Sequence, residues 1–238
     1  MNIPILITTC VIANADMTEL SDSNLRLEAV ISGLINLSKY VGKDQEIVLC
    51  DGSGYDFKNY ITRLEELFNR VEILSFQNNI NLVRKKGKGY GEGEIIAYAL
   101  ENSQVLSEYE HFTKLTGKLW LTNYNKCVNY YNKRAAFMFD NYFRPSKFDT
   151  RFYIIKKSLY LDIFNNAHLD VSDNNMVYLE HCFRLKINDS NNLNKYMSTV
   201  SPMLNGISGS TGLVYKPIRW KQPIKNTFLM VRSYLKYR

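Results

Sequence analysis

Segment 84–94 alternates glycine with basic, aromatic and acidic residues, in the order Arg-Lys-Lys-Gly-Lys-Gly-Tyr-Gly-Glu-Gly-Glu. Glycine lets the backbone approach a ligand closely, and the N-terminus of a following helix attracts anions. Lys85, Lys86 and Lys88 add positive charge, so the segment predicts a loop that holds a diphosphate or a sugar phosphate. Its spacing matches neither a Walker loop nor a dinucleotide-binding fingerprint, and a flexible solvated loop is the alternative.

Two further polar segments follow apolar runs that are typical of strands. Asp51-Gly52-Ser53 comes directly after Glu46–Cys50, where an acid can hydrogen-bond a ribose hydroxyl or a base edge. The alternative is an Asx-turn that only ends the strand. Phe112–Lys118 lies at another strand end and contains no carboxylate. Its alternative interpretation is a surface turn with two solvated lysines.

Glu180 lies at the edge of an apolar helical face defined by Met176 and Phe183. A carboxylate at such an edge can face a cleft and act as a general base. A structural ion pair or an exposed glutamate is the alternative. His181 is followed by Cys182, but this pair is a weak metal signal and the other two histidines show no ligand spacing.

The segment Gly206–Gly212 is rich in glycine and hydroxyl side chains. Free backbone N–H groups and hydroxyls of this kind form nests that suit phosphate oxygens. Lys216, Arg219 and Lys221 follow closely and add positive charge. An ordinary flexible loop is the alternative.

The elements that must position these residues alternate between strand and helix patterns in the first half of the chain. The second half is less regular. This alternation predicts an α/β fold whose mainly parallel sheet is flanked by helices, with ligands at the carboxyl ends of the strands. The predicted strands are 3–9, 46–50, 71–76, 111–115, 137–139 and 151–155. The first predicted helix begins near Ser21 or Ser23. The other predicted helices cover 60–70, 92–102, 174–184 and 227–237.

Composition favours one domain. The chain has 238 residues, 45% of them hydrophobic, and no low-complexity stretch divides it. Its four cysteines form no CxxC pair, which is typical of free thiols in a reducing compartment. No basic residue precedes the first apolar run, so we interpret it as a buried strand rather than a signal peptide. No segment approaches the roughly 20 apolar residues that span a bilayer.

The net charge of +7 is concentrated at the C-terminal end of the sequence, since residues 190–238 contain eight basic and no acidic residues. In the predicted last helix, Phe228 and Val231 share one side while Lys225 and Arg232 share another. A basic amphipathic helix can bind an anionic membrane surface. The alternative is a helix packed on the domain with a solvated basic face.

Together these segments resemble the GT-A-type glycosyltransferases that build bacterial O-antigen, lipooligosaccharide or capsule chains. The resemblance rests on order and spacing over nearly the whole chain. It is carried by Ile5–Thr9, Val48–Ser53, Lys86–Ile96, Phe112–Lys118, Tyr178–His181 and Gly206–Ser210.

The resemblance implies roles for individual residues. The nucleoside would be held by Thr8, Thr9, Asp51, Gly52 and Ser53. The donor sugar and phosphates would be held by Lys88, Gly89, Tyr90, Gly91, Glu94, Lys114, Thr116, Gly117, Lys118, Ser208, Gly209 and Ser210. Glu180 would be the catalytic base, supported by His181.

One departure from the family concerns the metal. Lys114, Thr116 and Lys118 stand where the Asp-x-Asp carboxylates of the family bind Mn²⁺ or Mg²⁺. Lysines there indicate that protein cations neutralise the leaving diphosphate. We therefore expect no metal cofactor and a metal-independent transfer.

The resemblance implies an inverting hexosyltransferase that uses a UDP-sugar, with UDP-galactose as the expected donor. Its acceptor would be a lipid-linked glycan, and the protein would be cytoplasmic and peripheral at the inner face of the cytoplasmic membrane. Residues 1–215 would form the catalytic domain, with a nucleotide-sugar half (1–120) and an acceptor half (121–215), followed by a basic segment (216–238). The alternatives are a sugar-phosphate nucleotidyltransferase and a basic nucleic-acid-binding module, although nucleic acid is not an expected partner.

Overall fold

Strands and helices alternate in the computed structural model, which describes residues 2–13, 19–141, 145–187, 190–209, 211–217 and 219–236. The strands are β1 (Ile5–Thr9), β2 (Glu46–Asp51), β3 (Arg70–Ser75), β4 (His111–Thr116), β5 (Leu119–Leu121), β6 (Ala135–Phe139), β7 (Phe148–Lys156), β8 (Leu204–Ile207) and β9 (Val214–Tyr215). The α-helices are α1 (Ser23–Val41), α2 (Ile61–Leu67), α3 (Ile80–Lys86), α4 (Lys88–Asn102), α5 (Gln104–Ser107), α6 (Tyr124–Asn129), α7 (Lys157–Ile163), α8 (Leu179–Leu185) and α9 (Gln222–Lys236). Short 3-10 turns occupy Lys58–Tyr60, Ala167–Asp170, Asp173–Asn175, Ser190–Tyr196 and Arg219–Lys221.

Within the described residues, the main sheet has six strands in the order β3-β2-β1-β4-β7-β6, and the first four of these are parallel. Strand β7 runs antiparallel to both of its neighbours. The register pairs Thr9 with Asp51 and Thr8 with Thr116, so the carboxyl ends of β1, β2 and β4 are level. This arrangement confirms the predicted α/β fold with a mainly parallel sheet. A small antiparallel sheet, β5-β8-β9, lies beside it.

The sheet is covered by helices on both faces because successive strand residues point in opposite directions. In β1, Leu6 belongs to one apolar cluster, with side chains of α4, α5, α7 and α8. Ile5 and Ile7 belong to the other, with side chains of α1, α2 and α6. The first apolar run is therefore a buried strand, as predicted.

The glycine-rich segment is helical, and the prediction of a loop there was wrong. Gly87, with φ of +112°, separates α3 from α4, and the glycines after it lie inside α4. A Cβ at Gly93 would lie 2.1 Å from His168 Cβ, and one at Gly91 would lie 2.7 Å from Asn78 Nδ2. Glycine is required here because α4 packs closely against its neighbours, not because the segment is flexible.

Two helix starts also differ from the sequence prediction. Helix α1 is capped by Asp22, whose Oδ1 accepts a hydrogen bond from Leu25 N at 2.8 Å, rather than by a serine. Helix α8 begins at Leu179 instead of residue 174, because Met176 adopts a left-handed conformation with φ of 57°. Met176 was expected to face inward, and it is exposed.

In the part of the chain that the structure describes, no helix is both long and apolar enough to cross a membrane. Helix α9 covers most of the predicted C-terminal helix, while Tyr237 lies outside the described residues. The division of the chain into domains at residue 215 stays a prediction.

Candidate functional site

Two adjoining cavities open at the carboxyl ends of β1 and β4. The narrow cavity has a volume of about 180 Å³ and the wide cavity about 1250 Å³. Four of the described residues line both cavities and form the boundary between them: Lys88, Glu92, Thr116 and Gly209. The strand order of the main sheet reverses between β1 and β4, and the carboxyl ends of strands at such a switch point are where α/β sheets commonly bind ligands.

The narrow cavity is lined by Thr8 and Thr9 at the end of β1 and by Lys118 just after β4. Ligands were expected at these carboxyl ends of strands. Gly117 N donates to Thr8 O at 2.8 Å, and a Cβ at Gly117 would lie 2.9 Å from that same oxygen. Glycine therefore allows the end of β4 to approach β1. The next residue, Lys118, has φ of 76° and is buried against the cavity.

Arg26, which sequence reasoning missed, also lines the narrow cavity. Its Nε donates to Cys10 O at 2.8 Å and its Nη1 donates to Leu20 O at 2.8 Å, which holds the guanidinium near Lys118. Burial lowers the pKa of Arg26. Burial, and then the charge of Arg26, lowers the pKa of Lys118 to about 8. Two buried cations that disfavour each other make this cavity favourable for an anion.

The Asp51 side chain closes the turn that follows β2, which is the Asx-turn alternative. Its Oδ1 accepts from Ser53 N at 2.7 Å, Ser53 Oγ at 2.6 Å and Tyr55 N at 3.1 Å, while Oδ2 accepts from Val11 N at 2.9 Å. Asp51, Gly52 and Ser53 line neither cavity in the described part of the chain. The carboxylate thus binds the turn that follows β2, and the contact of these three residues with a nucleoside stays a prediction.

Helix α4 presents Lys88, Gly89 and Gly91 to the cavities. Burial lowers the pKa of Lys88. Tyr90 points into the core instead, and Glu94 Oε2 accepts from Asn79 N at 3.1 Å where α3 begins. Because the segment is helical, Tyr90 and Glu94 lie on other faces of α4 than Lys88 and Gly91. Their donor contacts stay predictions.

Lys114 is fully buried beneath the site. Its Nζ donates to Glu92 Oε1, to Thr116 Oγ1 at 2.8 Å and to Thr150 O at 2.7 Å. A buried ammonium requires such partners because its desolvation is costly. Lys114 therefore forms a buried ion pair, whereas Thr116 lines both cavities. The contact of Lys114 with a donor phosphate stays a prediction.

Glu180 lines the wide cavity, and its Oε1 accepts from Thr150 Oγ1 at 3.2 Å. Burial, with a contribution from the charge of Glu92, raises the pKa of Glu180. His181 lines neither cavity in the described residues, because its Nδ1 accepts from Tyr178 N at 3.1 Å and caps α8. The structure gives His181 a capping contact, and its support of catalysis stays a prediction.

The β8–β9 hairpin forms one wall of the wide cavity. Ser208 and Gly209 line it, and a Cβ at Gly209 would lie 3.0 Å from Lys118 Cε. Ser208 Oγ accepts from Thr211 N at 3.1 Å, so the turn is closed by its own side chain. Ser210 lies outside the described residues. The hairpin thus passes directly over the Lys118 side chain.

Other charged residues of the wide cavity were also missed by sequence reasoning. Asp149 Oδ1 accepts from Arg151 Nε at 2.8 Å, and the Arg151 guanidinium lies 4.8 Å from the centre of the Tyr215 ring. No sequence pattern joined these residues, because Tyr215 is far from Arg151 along the chain.

Among the described residues, no group of three or more histidine, cysteine or acidic side chains is placed to hold a metal ion.

Comparison with known proteins supports the fold. No family model matches the chain, and no curated protein matches its sequence. The inositol-1-phosphate CTP transferase of T. maritima is similar in structure, with a TM-score of 0.50, 10% identity and coverage of 98% of this chain and 97% of that one. The bifunctional glycosyltransferase WbbM gives a TM-score of 0.43, 12% identity and coverage of 71% of this chain and 34% of that one.

A cytidylyltransferase from Leptospira borgpetersenii gives a TM-score of 0.41, 12% identity and coverage of 68% of this chain and 63% of that one. The chain therefore spans about a third of the WbbM chain and less than two thirds of this cytidylyltransferase. At such identities the likeness to the T. maritima enzyme establishes a shared α/β fold.

Proposed function

We propose that this protein is an inverting glycosyltransferase that moves a sugar from a UDP-sugar to a growing bacterial cell-surface glycan. The observation that carries the proposal is the pair of buried cations, Arg26 and Lys118, in a narrow cavity that adjoins a wide cavity containing Glu180. The cations suit the diphosphate of a nucleotide-sugar. The wide cavity has room for a glycan acceptor, and the transferred sugar lies at the boundary.

The chemistry follows from this placement. Glu180 accepts the proton of an acceptor hydroxyl, and the hydroxyl oxygen forms a bond to the anomeric carbon of the donor sugar. The bond between that carbon and the phosphate oxygen breaks, and its electron pair leaves with the UDP. Lys118 and Arg26 stabilise the charge that develops on the diphosphate, without a metal ion. The β8–β9 hairpin covers the site and limits attack by water.

The first test is calorimetric titration of UDP, GDP, CMP, CTP and UDP-galactose into the purified protein, each with EDTA and with Mn²⁺. We expect UDP and UDP-galactose to bind, with the same Kd in both solutions, because Arg26 and Lys118 supply the positive charge. Binding that requires Mn²⁺ would refute metal independence. Binding of CTP without any nucleotide-sugar would favour the nucleotidyltransferase alternative, and no binding at all would refute the transferase proposal.

In this proposal the acceptor is carried by a lipid at the inner face of the cytoplasmic membrane. The exposed apolar side chains of helix α9 support such a membrane contact. Ile224, Phe228 and Val231 are exposed and recur at helical spacing, so they form one apolar stripe on α9. The exposed Trp220 lies in the 3-10 turn just before the helix. The opposite side of α9 packs inward through Leu229. A solvent-facing apolar stripe on a packed helix suits insertion into the headgroup region of a bilayer.

Charge complementarity selects an anionic lipid surface as the partner of this stripe. Lys221 and Lys225 are exposed beside it, and both also line the wide cavity. Each basic residue near an anionic surface contributes about 1 kcal/mol of attraction. A lipid-linked acceptor held at this surface would thus reach the cavity that contains Glu180.

Vesicle binding tests this docking. We expect the double variant Ile224→Ser/Phe228→Ser to bind vesicles of phosphatidylcholine and phosphatidylglycerol roughly tenfold or more weakly than the wild type, because two apolar side chains no longer leave water. Leu161→Ser, which changes an exposed leucine on α7, is the matched control. Equal binding of both variants in co-sedimentation would contradict the docking. A change in oligomeric state instead would identify the stripe as a protein interface.

A further inference from the structure

The most informative group that the sequence did not single out is the carboxylate of Glu92. Glu92 is one of the four residues that line both cavities, and it is the acidic one among them. Lys88 precedes it by one helical turn on the same face of α4. The sequence pattern predicted a loop over 84–94 and therefore did not indicate that Lys88 and Glu92 share a face. The two residues become neighbours only in a helix.

Glu92 is held in place by the buried lysine below it. The Lys114 ammonium donates to Glu92 Oε1, and Thr116 Oγ1 donates to the same oxygen at 3.3 Å. Lys114 is in turn fixed by Thr150 O, and each of its three N–H donors has an acceptor. A buried cation on a strand of the main sheet therefore anchors a carboxylate that remains partly exposed to the cavities.

The bonds of the Glu92 carboxylate fall on Oε1 in the described part of the chain, which leaves Oε2 as an acceptor toward the cavities. A carboxylate oxygen accepts charge-assisted hydrogen bonds from hydroxyl groups, and a sugar offers several of them. Glu180 also lines the wide cavity, and it is bonded to Thr150, the residue that also binds Lys114. The two carboxylates thus have different neighbours and different positions.

We propose that Glu92 recognises the hydroxyl groups of the donor sugar, and that Lys114 is the positioning residue that orients it. This inference rests on the proposed function, because the diphosphate in the narrow cavity places the sugar at the boundary that Glu92 forms. The site would select the donor sugar through the positions of its hydroxyl groups, while the nucleotide is held elsewhere. Glu92 is a specificity residue here and not the base.

The test compares UDP with the UDP-sugar that binds the wild type most tightly among UDP-galactose, UDP-glucose and UDP-N-acetylglucosamine. In calorimetry, Glu92→Gln is expected to weaken binding of the UDP-sugar about tenfold, because a charge-assisted hydrogen bond to a hydroxyl is lost. Its affinity for UDP should not fall, because Glu92 also lines the narrow cavity and its replacement removes a negative charge beside the diphosphate. Glu101→Gln, the same change at an exposed position of α4, is the matched control and should alter neither Kd.

Equal losses for UDP and for the UDP-sugar, or no loss for either, would overturn the inference. If the wild type binds UDP but none of the UDP-sugars, the proposed function itself fails before any variant is compared. If Glu92→Gln unfolds at a lower temperature, the double variant Glu92→Gln/Lys114→Met removes the unpaired buried charge, and the same selective loss is expected from it. A double variant that binds the UDP-sugar like the wild type would overturn the role of Glu92.

Discussion

Replacement of Glu180 by glutamine is expected to lower the turnover of sugar transfer by roughly 10²- to 10⁴-fold, because a general base contributes about that much. Glutamine keeps the shape of the side chain and can still accept the hydrogen bond from Thr150 Oγ1. It cannot take the proton of the acceptor hydroxyl. The affinity for UDP is expected to stay unchanged, because Glu180 is not among the residues that line the narrow cavity.

The measurement is release of UDP from the UDP-sugar in the presence of acceptor, as a function of pH. Burial raises the pKa of Glu180, and the base must be ionised, so the wild-type rate should fall as the pH drops through that pKa. Glu180→Gln should lack this acid limb. Glu66→Gln, at an exposed position of α2, is the control. A Glu180→Gln enzyme with wild-type turnover would show that another group is the base.

Replacement of Lys118 by methionine is expected to weaken binding of the UDP-sugar roughly hundredfold while making the protein more stable. The loss follows from removing a charge-assisted contact to the diphosphate. The gain follows from burial, which lowers the pKa of Lys118 from 10.5 to about 8. A cation whose folded pKa lies below its unfolded pKa destabilises the fold at neutral pH, here by up to about 3 kcal/mol.

Calorimetry and thermal unfolding at pH 7 measure the two effects of Lys118→Met. We expect a higher Kd for the UDP-sugar and a higher Tm, a combination typical of a residue retained for function at a cost in stability. A lower Tm with unchanged Kd would mean that Lys118 is structural. Lys39→Met, on an exposed part of α1, is the control for removing one positive charge.

The same lysine predicts a pH dependence of binding. The ammonium of Lys118 is present below pH 8, so the affinity of the wild type for the UDP-sugar should be constant there and fall as the pH rises above about 8. Binding to Lys118→Met should not show this fall. Because both proteins are titrated with the same ligand, ionisation of the nucleotide cancels in the comparison. A parallel pH dependence in the two proteins would contradict a charged Lys118 at the diphosphate.

The sequence by itself determined the layered architecture, because apolar strand runs and helical periodicity are local patterns. The carboxyl ends of parallel strands meet at one edge of a sheet wherever such strands pair in register. Thr8, Thr9, Thr116 and Lys118 could therefore be placed at a common cavity from their strand-end positions alone. The helical pattern placed Glu180 at a helix edge, with an ion pair or an exposed glutamate as the alternatives, and only the structure shows that it lines the wide cavity.

Only the tertiary structure decided which polar side chains face the cavities. Asp51 and Lys114 also stand at or near strand ends. Asp51 closes the local turn that the sequence offered as the alternative, and it also binds Val11 N from a distant segment. Lys114 forms a buried ion pair with Glu92 of α4, which is remote from β4 in sequence. Arg26 and Glu92 enter the site because α1 and α4 pack against strands that are remote in sequence. Burial and pairing are properties of such non-local contacts, and no local pattern of residue types encodes them.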